Sequence, residues 1–385
     1  MPEQESCVSG SIKLGMPKIK KSAPISKYPL SSTQTGIFFL SQMNHSGLAL
    51  ELCYQLILRG IPDDAALEKA LYALEERHPV LKTRFVLDEG KAWQYIVSNQ
   101  KLNISYYNFL HLTSIERDSK LKQIIQTELE QSFQIFDSPL VHYCLIRYAA
   151  DRTIILLKVH HLITDGFSFE ILHRHFAEFY NQYHKGGTLI SSDESTYSDY
   201  VCWENELTDT KYYQESKSFW EKTVKPKCDP LELASDFPRP YPRQYTGSIF
   251  EQQLDQTSKK QLIHLGIQRS VSLATVLLTA LAIVLYKHSG QNDFYIGVVV
   301  NGRSNLPQLR NIVGVFSKIL PIRLTFDSNM KIGDLLQYVN MQLTESLDHQ
   351  LYPTHEIINM NSNQKSADFA PLYRCLLYTS PSPRD

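Results

Sequence analysis

The sequence predicts an α/β protein, and three observations carry that expectation. Apolar, β-branched runs of strand length recur, most plainly at Ile154–Val159 and Phe294–Val300, the kind a sheet buries on both faces. Stretches with helical spacing lie between such runs, so strand and helix alternate in both halves of the chain. A Gly186-Gly187 step followed by a Ser-rich passage marks a boundary between those halves.

Length and composition bound the function. A chain of 385 residues suffices for one large or two ordinary domains with real cores. Its 39 Lys+Arg stand against 40 Asp+Glu, a balance that argues against a nucleic-acid binder. Six cysteines (Cys7, Cys53, Cys144, Cys202, Cys228 and Cys375) show no CxxC and no paired spacing. They read as reduced thiols of an intracellular protein, and a cytoplasmic location is expected. Lys18, Lys20 and Lys21 precede no apolar segment, so no signal peptide is evident. The most apolar run, Val271–Tyr286, carries Ser272, Thr275 and Thr279 and is shorter than the ~20 residues of a membrane span. A buried helix is expected there, and no membrane association.

Taken in order, residues 1–26 form a polar lead-in. Ser31 or Ser32 caps a helix carrying Ile37, Phe38 and Leu40. Leu52, Tyr54, Leu56 and Leu58 alternate as a strand, and Pro62-Asp63-Asp64 opens a helix that Pro79 stops. Strands follow at Leu81–Leu87 and Trp93–Val97, then a helix marked by Leu121, Ile124 and Ile125. Val141–Arg147 is a strand expected to pair with Thr153–Val159 across a turn at Ala149–Arg152. Beyond the boundary, Thr196–Glu204 is an aromatic-rich helix start. Pro226–Tyr245 is a proline-rich connection, and Ser248–Leu254 is expected to be a strand.

The run Thr153–Ser168, TIILLKVHHLITDGFS, concentrates the chemistry. A buried strand delivers His160 and His161 into a loop, and a helix is expected from Phe167 to Tyr183. Adjacent residues leaving a strand point in roughly opposite directions, so one imidazole faces a cleft and the other is tied into the protein. A neutral imidazole accepts a proton or hydrogen-bonds a nucleophile. A buried Asp165 needs a cationic partner, and Gly166 allows close backbone approach or a positive φ. Two neighbouring histidines chelate poorly and no Cys or His with ligand spacing accompanies them, so no metal is expected.

The string HHLITDG resembles the HHxxxDG motif of condensation domains of nonribosomal peptide synthetases, members of the chloramphenicol acetyltransferase-like superfamily. Further stretches resemble that family's motifs in the family's order. They are Tyr28–Leu40, Glu76–Phe85, Phe133–Leu140, Thr196–Glu204, Leu231–Pro240, Ile312–Arg323 and His349–Glu356. Lys318 stands close to where the family usually has Asn, which alters the expected wall of the substrate channel. The resemblance covers about residues 28–374. It implies two acetyltransferase-like subdomains, 27–190 and 196–374, forming a V around a central channel. The second is expected to be truncated, with 375–385 a non-native tail.

The implied reaction is amide bond formation between an acyl or peptidyl thioester donor and an aminoacyl thioester acceptor. Both ride on phosphopantetheine arms of carrier proteins, with no cofactor bound directly and an adenylation domain as neighbour. The resemblance implies His161 as the catalytic group and His160 as mainly structural. It implies Asp165 pairing with an arginine, assigned to Arg303 with Arg323 as alternative, and Gly166 beside the thioester carbonyl. Competing readings are an epimerisation domain, a free-standing acyltransferase using coenzyme A, and an inactive recruitment domain.

Overall fold

A computed structural model describes residues 18–21, 26–43, 50–188, 194–226, 228–238, 247–303, 306–327, 329–361 and 372–378. Most of the lead-in, the Ser-rich boundary, part of the proline-rich connection, residues 362–371 and the tail beyond 378 lie outside them. The chain divides into two compact units. One comprises Gly15–Thr208 with Leu306–Ser317; the other is built on Asp209–Asn305 and Lys318–Asp385.

The first unit runs β1 (Tyr28–Pro29), α1 (Ser32–Met43), β2 (Glu51–Arg59), α2 (Asp64–Arg77), β3 (Thr83–Asp88) and β4 (Lys91–Ile96). It continues with β5 (Ile104–Asn108), α3 (Ser114–Glu130), β6 (Val141–Ala149), β7 (Arg152–His160), α4 (Ser168–His184) and α5 (Tyr197–Glu206). Its larger sheet has the order β2-β7-β6-β5. β7 is antiparallel to both neighbours, and β5 runs parallel to β6. A small sheet, β1-β4-β3, completes the unit.

Local chemistry explains where these helices begin. Asp63 caps α2 by accepting from the Ala65 and Ala66 N–H groups. Thr113 and Glu116 close a reciprocal capping box on α3. At α1 the Ser31 hydroxyl accepts from the Gln34 N–H at 3.0 Å, and the Ser31 N–H donates to the Gln34 side chain at 2.9 Å. The carboxylate of Glu204, from α5, takes the Ser32 N–H and hydroxyl, both at 2.7 Å. The aromatic segment assigned from sequence to the second half thus groups with the first unit. Leu306–Ser317 does so as well.

The second unit runs α6 (Lys211–Val224), α7 (Gln256–Arg269), α8 (Leu273–Ser289), β8 (Asp293–Val300), β9 (Lys318–Thr325), α9 (Ile332–Asp348), α10 (Thr354–Met360) and β10 (Leu376–Tyr378). Its sheet is β10-β8-β9, with Leu376–Tyr378 in parallel register on Gly297–Val299. Trp220, Phe294, Tyr352 and the inward face of α8 build its core. The expected strand at Ser248–Leu254 is absent: the segment is irregular, with Ile249 and Phe250 almost fully exposed. Alternation alone does not hold a strand without a hydrogen-bonded neighbour, and none pairs with it among the described residues. Among those residues no single helix is long and apolar enough to cross a membrane.

Candidate active site

β7 is buried along most of its length because it is the inner strand between β2 and β6. Its polar C-terminal residue, His160, therefore emerges inside protein. His160 is 2% exposed, and its Nδ1 accepts from the Leu162 N–H at 3.0 Å, which places the ring proton on Nε2. Burial, followed by the nearby His161 and Lys158, pushes its pKa down to about 3. His160 is a neutral, locked ring.

His161 differs. It is half-buried, and its backbone N–H is fixed to the Leu50 carbonyl at 2.8 Å. Its ring Nδ1 is buried without a hydrogen-bond partner among the described residues, as is the Thr164 hydroxyl three residues on. An orphaned buried polar atom costs about 1–3 kcal/mol. Two such atoms lie within this one short loop. Of the two rings, His160 is tied into the protein and His161 is left with an orphaned nitrogen.

The loop is held by Asp165, which is fully buried. Oδ1 accepts from the Ser168 N–H at 2.9 Å and its hydroxyl at 2.8 Å, where α4 begins. Oδ2 accepts from the Phe316 N–H at 2.9 Å, and from the Ser317 N–H and hydroxyl at 3.1 and 3.2 Å. Sequence reasoning sought a cation for this carboxylate; it missed these five donors. Ser168 also bridges to the Gly314 N–H and carbonyl at 3.1 and 2.8 Å. Position 314 must be glycine because Tyr197 occupies the space: a Cβ there would sit 2.0 Å from the Tyr197 ring. The Tyr197 hydroxyl in turn donates to the Val315 carbonyl at 2.9 Å. The one legible hint of this clasp is the Asp-x-x-Ser spacing at a helix start, which is an N-terminal capping pattern.

Gln34, fully buried on α1, steadies the other side of the loop by donating to the Leu162 carbonyl and to Gln94, both at 3.0 Å. Glu51 stands opposite His160 in the β2/β7 register. Its Oε1 accepts from the Phe133 N–H at 2.8 Å, while Oε2 is buried without a hydrogen-bond partner among the described residues. Burial pushes its pKa up to about 7, against the opposing pull of the Phe133 N–H and Lys158.

Two expectations change. Gly166 is not among the glycines held at positive φ, which include Gly60, Gly90, Gly186, Gly290 and Gly302. Arg323, the alternative partner for Asp165, is committed to Asp293 through a two-pronged contact, Nε–Oδ1 2.9 Å and Nη2–Oδ2 2.7 Å. That guanidinium holds the Asp293 carboxyl below its ordinary value. Arg303 is buried and its Nη1 donates to Asn301 at 3.1 Å.

A buried strand delivers an imidazole with an orphaned nitrogen into a loop clamped by an aspartate. A family model described as "Condensation domain" matches residues 25–381, and the chain belongs to the condensation-domain family. It is 28% identical over 349 residues to tyrocidine synthase 3 of Brevibacillus parabrevis, covering 91% of this chain and 5% of that protein. It is 26% identical over 376 residues to surfactin synthase subunit 2 of Bacillus subtilis (strain 168), covering 98% and 10%. The chain spans a tenth or less of these relatives.

Among solved structures, the X-domain from teicoplanin biosynthesis superposes with a TM-score of 0.82 at 20% identity, covering 94% of this chain and 79% of that one. The starter condensation domain of rhizomide synthetase gives 0.77 at 20% identity, covering 92% and 78%. The fold is shared with both. The family's reaction is peptide bond formation between carrier-bound substrates.

Proposed function

We propose that this chain joins an acyl or peptidyl thioester to the amine of an aminoacyl thioester, each presented on a phosphopantetheine arm. The amine attacks the thioester carbonyl carbon, the C–N bond forms, the C–S bond breaks, and the donor's carrier thiol leaves with a proton. Aminolysis of a thioester is downhill, so alignment carries most of the task and supplies ~7–11 kcal/mol of the barrier. His161 orients the amine and receives or relays its proton. His160, Asp165 and Gln34 hold the loop that carries it, and Gly166 leaves room for the carbonyl. The role of Arg303 rests on the family resemblance alone. Donor and acceptor carrier domains and a neighbouring adenylation domain are the partners this reading requires.

The observation that carries the reading is His161 itself, whose ring is uncommitted within a loop where His160 and Asp165 are fully engaged. The test is a condensation assay with loaded donor and acceptor carrier proteins. Wild-type chain yields the amide product, and His161→Ala loses it while keeping its fold. Equal turnover from coenzyme A thioesters would favour the free-standing acyltransferase. Inversion of a carrier-bound residue without amide formation would favour the epimerisation reading.

A further inference from the structure

A second cluster of reactive side chains lies on the same sheet. His142 and Cys144 are two apart on β6, so strand alternation puts both on one face. α3 covers that face and lowers Glu128 onto them. The His142 Nδ1 lies 2.9 Å from Glu128 Oε2, and Cys144 Sγ lies 3.5 Å from Glu128 Oε1 and 3.9 Å from His142 Nδ1. Glu128 and Cys144 are buried, and the apolar surround is Phe109, Ile124, Ile146 and Leu156.

We propose that Glu128, His142 and Cys144 form a binding site for a divalent transition-metal ion, zinc foremost, with solvent completing the fourth position. A tetrahedral Zn²⁺ with Zn–S near 2.3 Å and Zn–N or Zn–O near 2.0–2.1 Å holds its donor atoms roughly 3.3–3.6 Å apart. Taking one ligand atom from each residue, the three donors here lie within 4.8 Å of one another. Side-chain rotation of Glu128 and His142 closes the remaining gap around an ion.

An independent feature points the same way. The far nitrogen of the ring, His142 Nε2, lies 3.0 Å from the Ser105 hydroxyl on β5. Such an outer hydrogen bond is the usual device that fixes the tautomer and orientation of a metal-binding histidine. Charge also closes. A carboxylate, a thiolate and a neutral imidazole around a dication sum to zero, which suits a site with little water. The ion displaces the thiol proton on binding. The ligands come from α3 and β6, so the ion's role is to staple the helix to the sheet, remote in sequence from the 160–168 loop.

Cobalt(II) is the probe. The full chain is stripped with chelator under reducing conditions and titrated. A thiolate-to-cobalt absorption band rises to one equivalent, zinc bleaches it, and zinc raises Tm by several degrees. Cys144→Ser removes the band, and His142→Gln or Glu128→Gln weakens metal binding at least tenfold. X-ray absorption on cobalt-loaded wild type, which does not depend on any variant folding, finds sulfur in the first coordination sphere. Absence of sulfur there, or a band that survives Cys144→Ser, overturns the site.

Discussion

His142, on β6, and His161, in the loop that follows β7, are both half-buried, and the difference between them is instructive. Each ring nitrogen of His142 has a partner: Glu128 on one side and Ser105 on the other. His161 has a buried Nδ1 with no partner among the described residues, although its backbone is fixed. A ring engaged at both ends contributes to stability or holds an ion in place. A ring left uncommitted inside a rigid loop holds its binding capacity for a reactant. The neighbouring His160 makes the contrast sharper, since a one-residue step along the chain turns it into a locked, neutral group.

The largest test of this contrast is His161→Ala. General acid–base contributions of 10²–10⁴-fold set the expected loss of amide-forming turnover. Tm should stay within about 1 °C, because no hydrogen bond of the ring is removed. A stability loss comparable to the activity loss would make His161 another structural histidine.

Asp165→Ala comes next. It strands two buried backbone N–H groups, of Phe316 and Ser317, together with the Ser168 contacts at the start of α4. Removing one side of such a buried charged arrangement costs on the order of 3–5 kcal/mol. Chemical denaturation should show a drop of that size.

His142→Leu leaves the Glu128 carboxylate buried without its nearest donor, for a loss of about 1.5–3 kcal/mol read as a fall in Tm.

The smallest effect concerns Glu51. Its folded pKa of about 7 lies above the ordinary 4.5, so the folded state binds the extra proton in that window. Stability is therefore lost as pH rises from 4.5 through 7. Glu51→Gln should raise Tm by about 2–4 °C per kcal/mol relieved at pH 8, the gain shrinking toward pH 5. His160 has the opposite sign. Its pKa is depressed from 6.5 to about 3, so its contribution is complete above pH 6.5 and is lost as pH falls toward 3. A Glu51→Gln gain that grew on acidification would contradict the burial of that carboxyl.

Much of this protein was determined by the sequence itself. Apolar runs located β7 and β8, a capping serine at Ser31 or Ser32 located the start of α1, and HHLITDG located the loop after β7. These features are local: strand alternation, helix capping and a short motif are completed within a few residues. The tertiary structure decided the rest. Asp165 finds its donors about 150 residues away at Phe316 and Ser317, and Gly314 is required because Tyr197 fills the space beside it. Arg323 turns to Asp293, and His142 meets Glu128 only because α3 lies across β6. The alternation at Ser248–Leu254 did not become a strand for want of a partner. A buried polar group takes whatever donor or acceptor the folded chain brings within about 3 Å, and that choice is made by long-range packing rather than by neighbours along the chain.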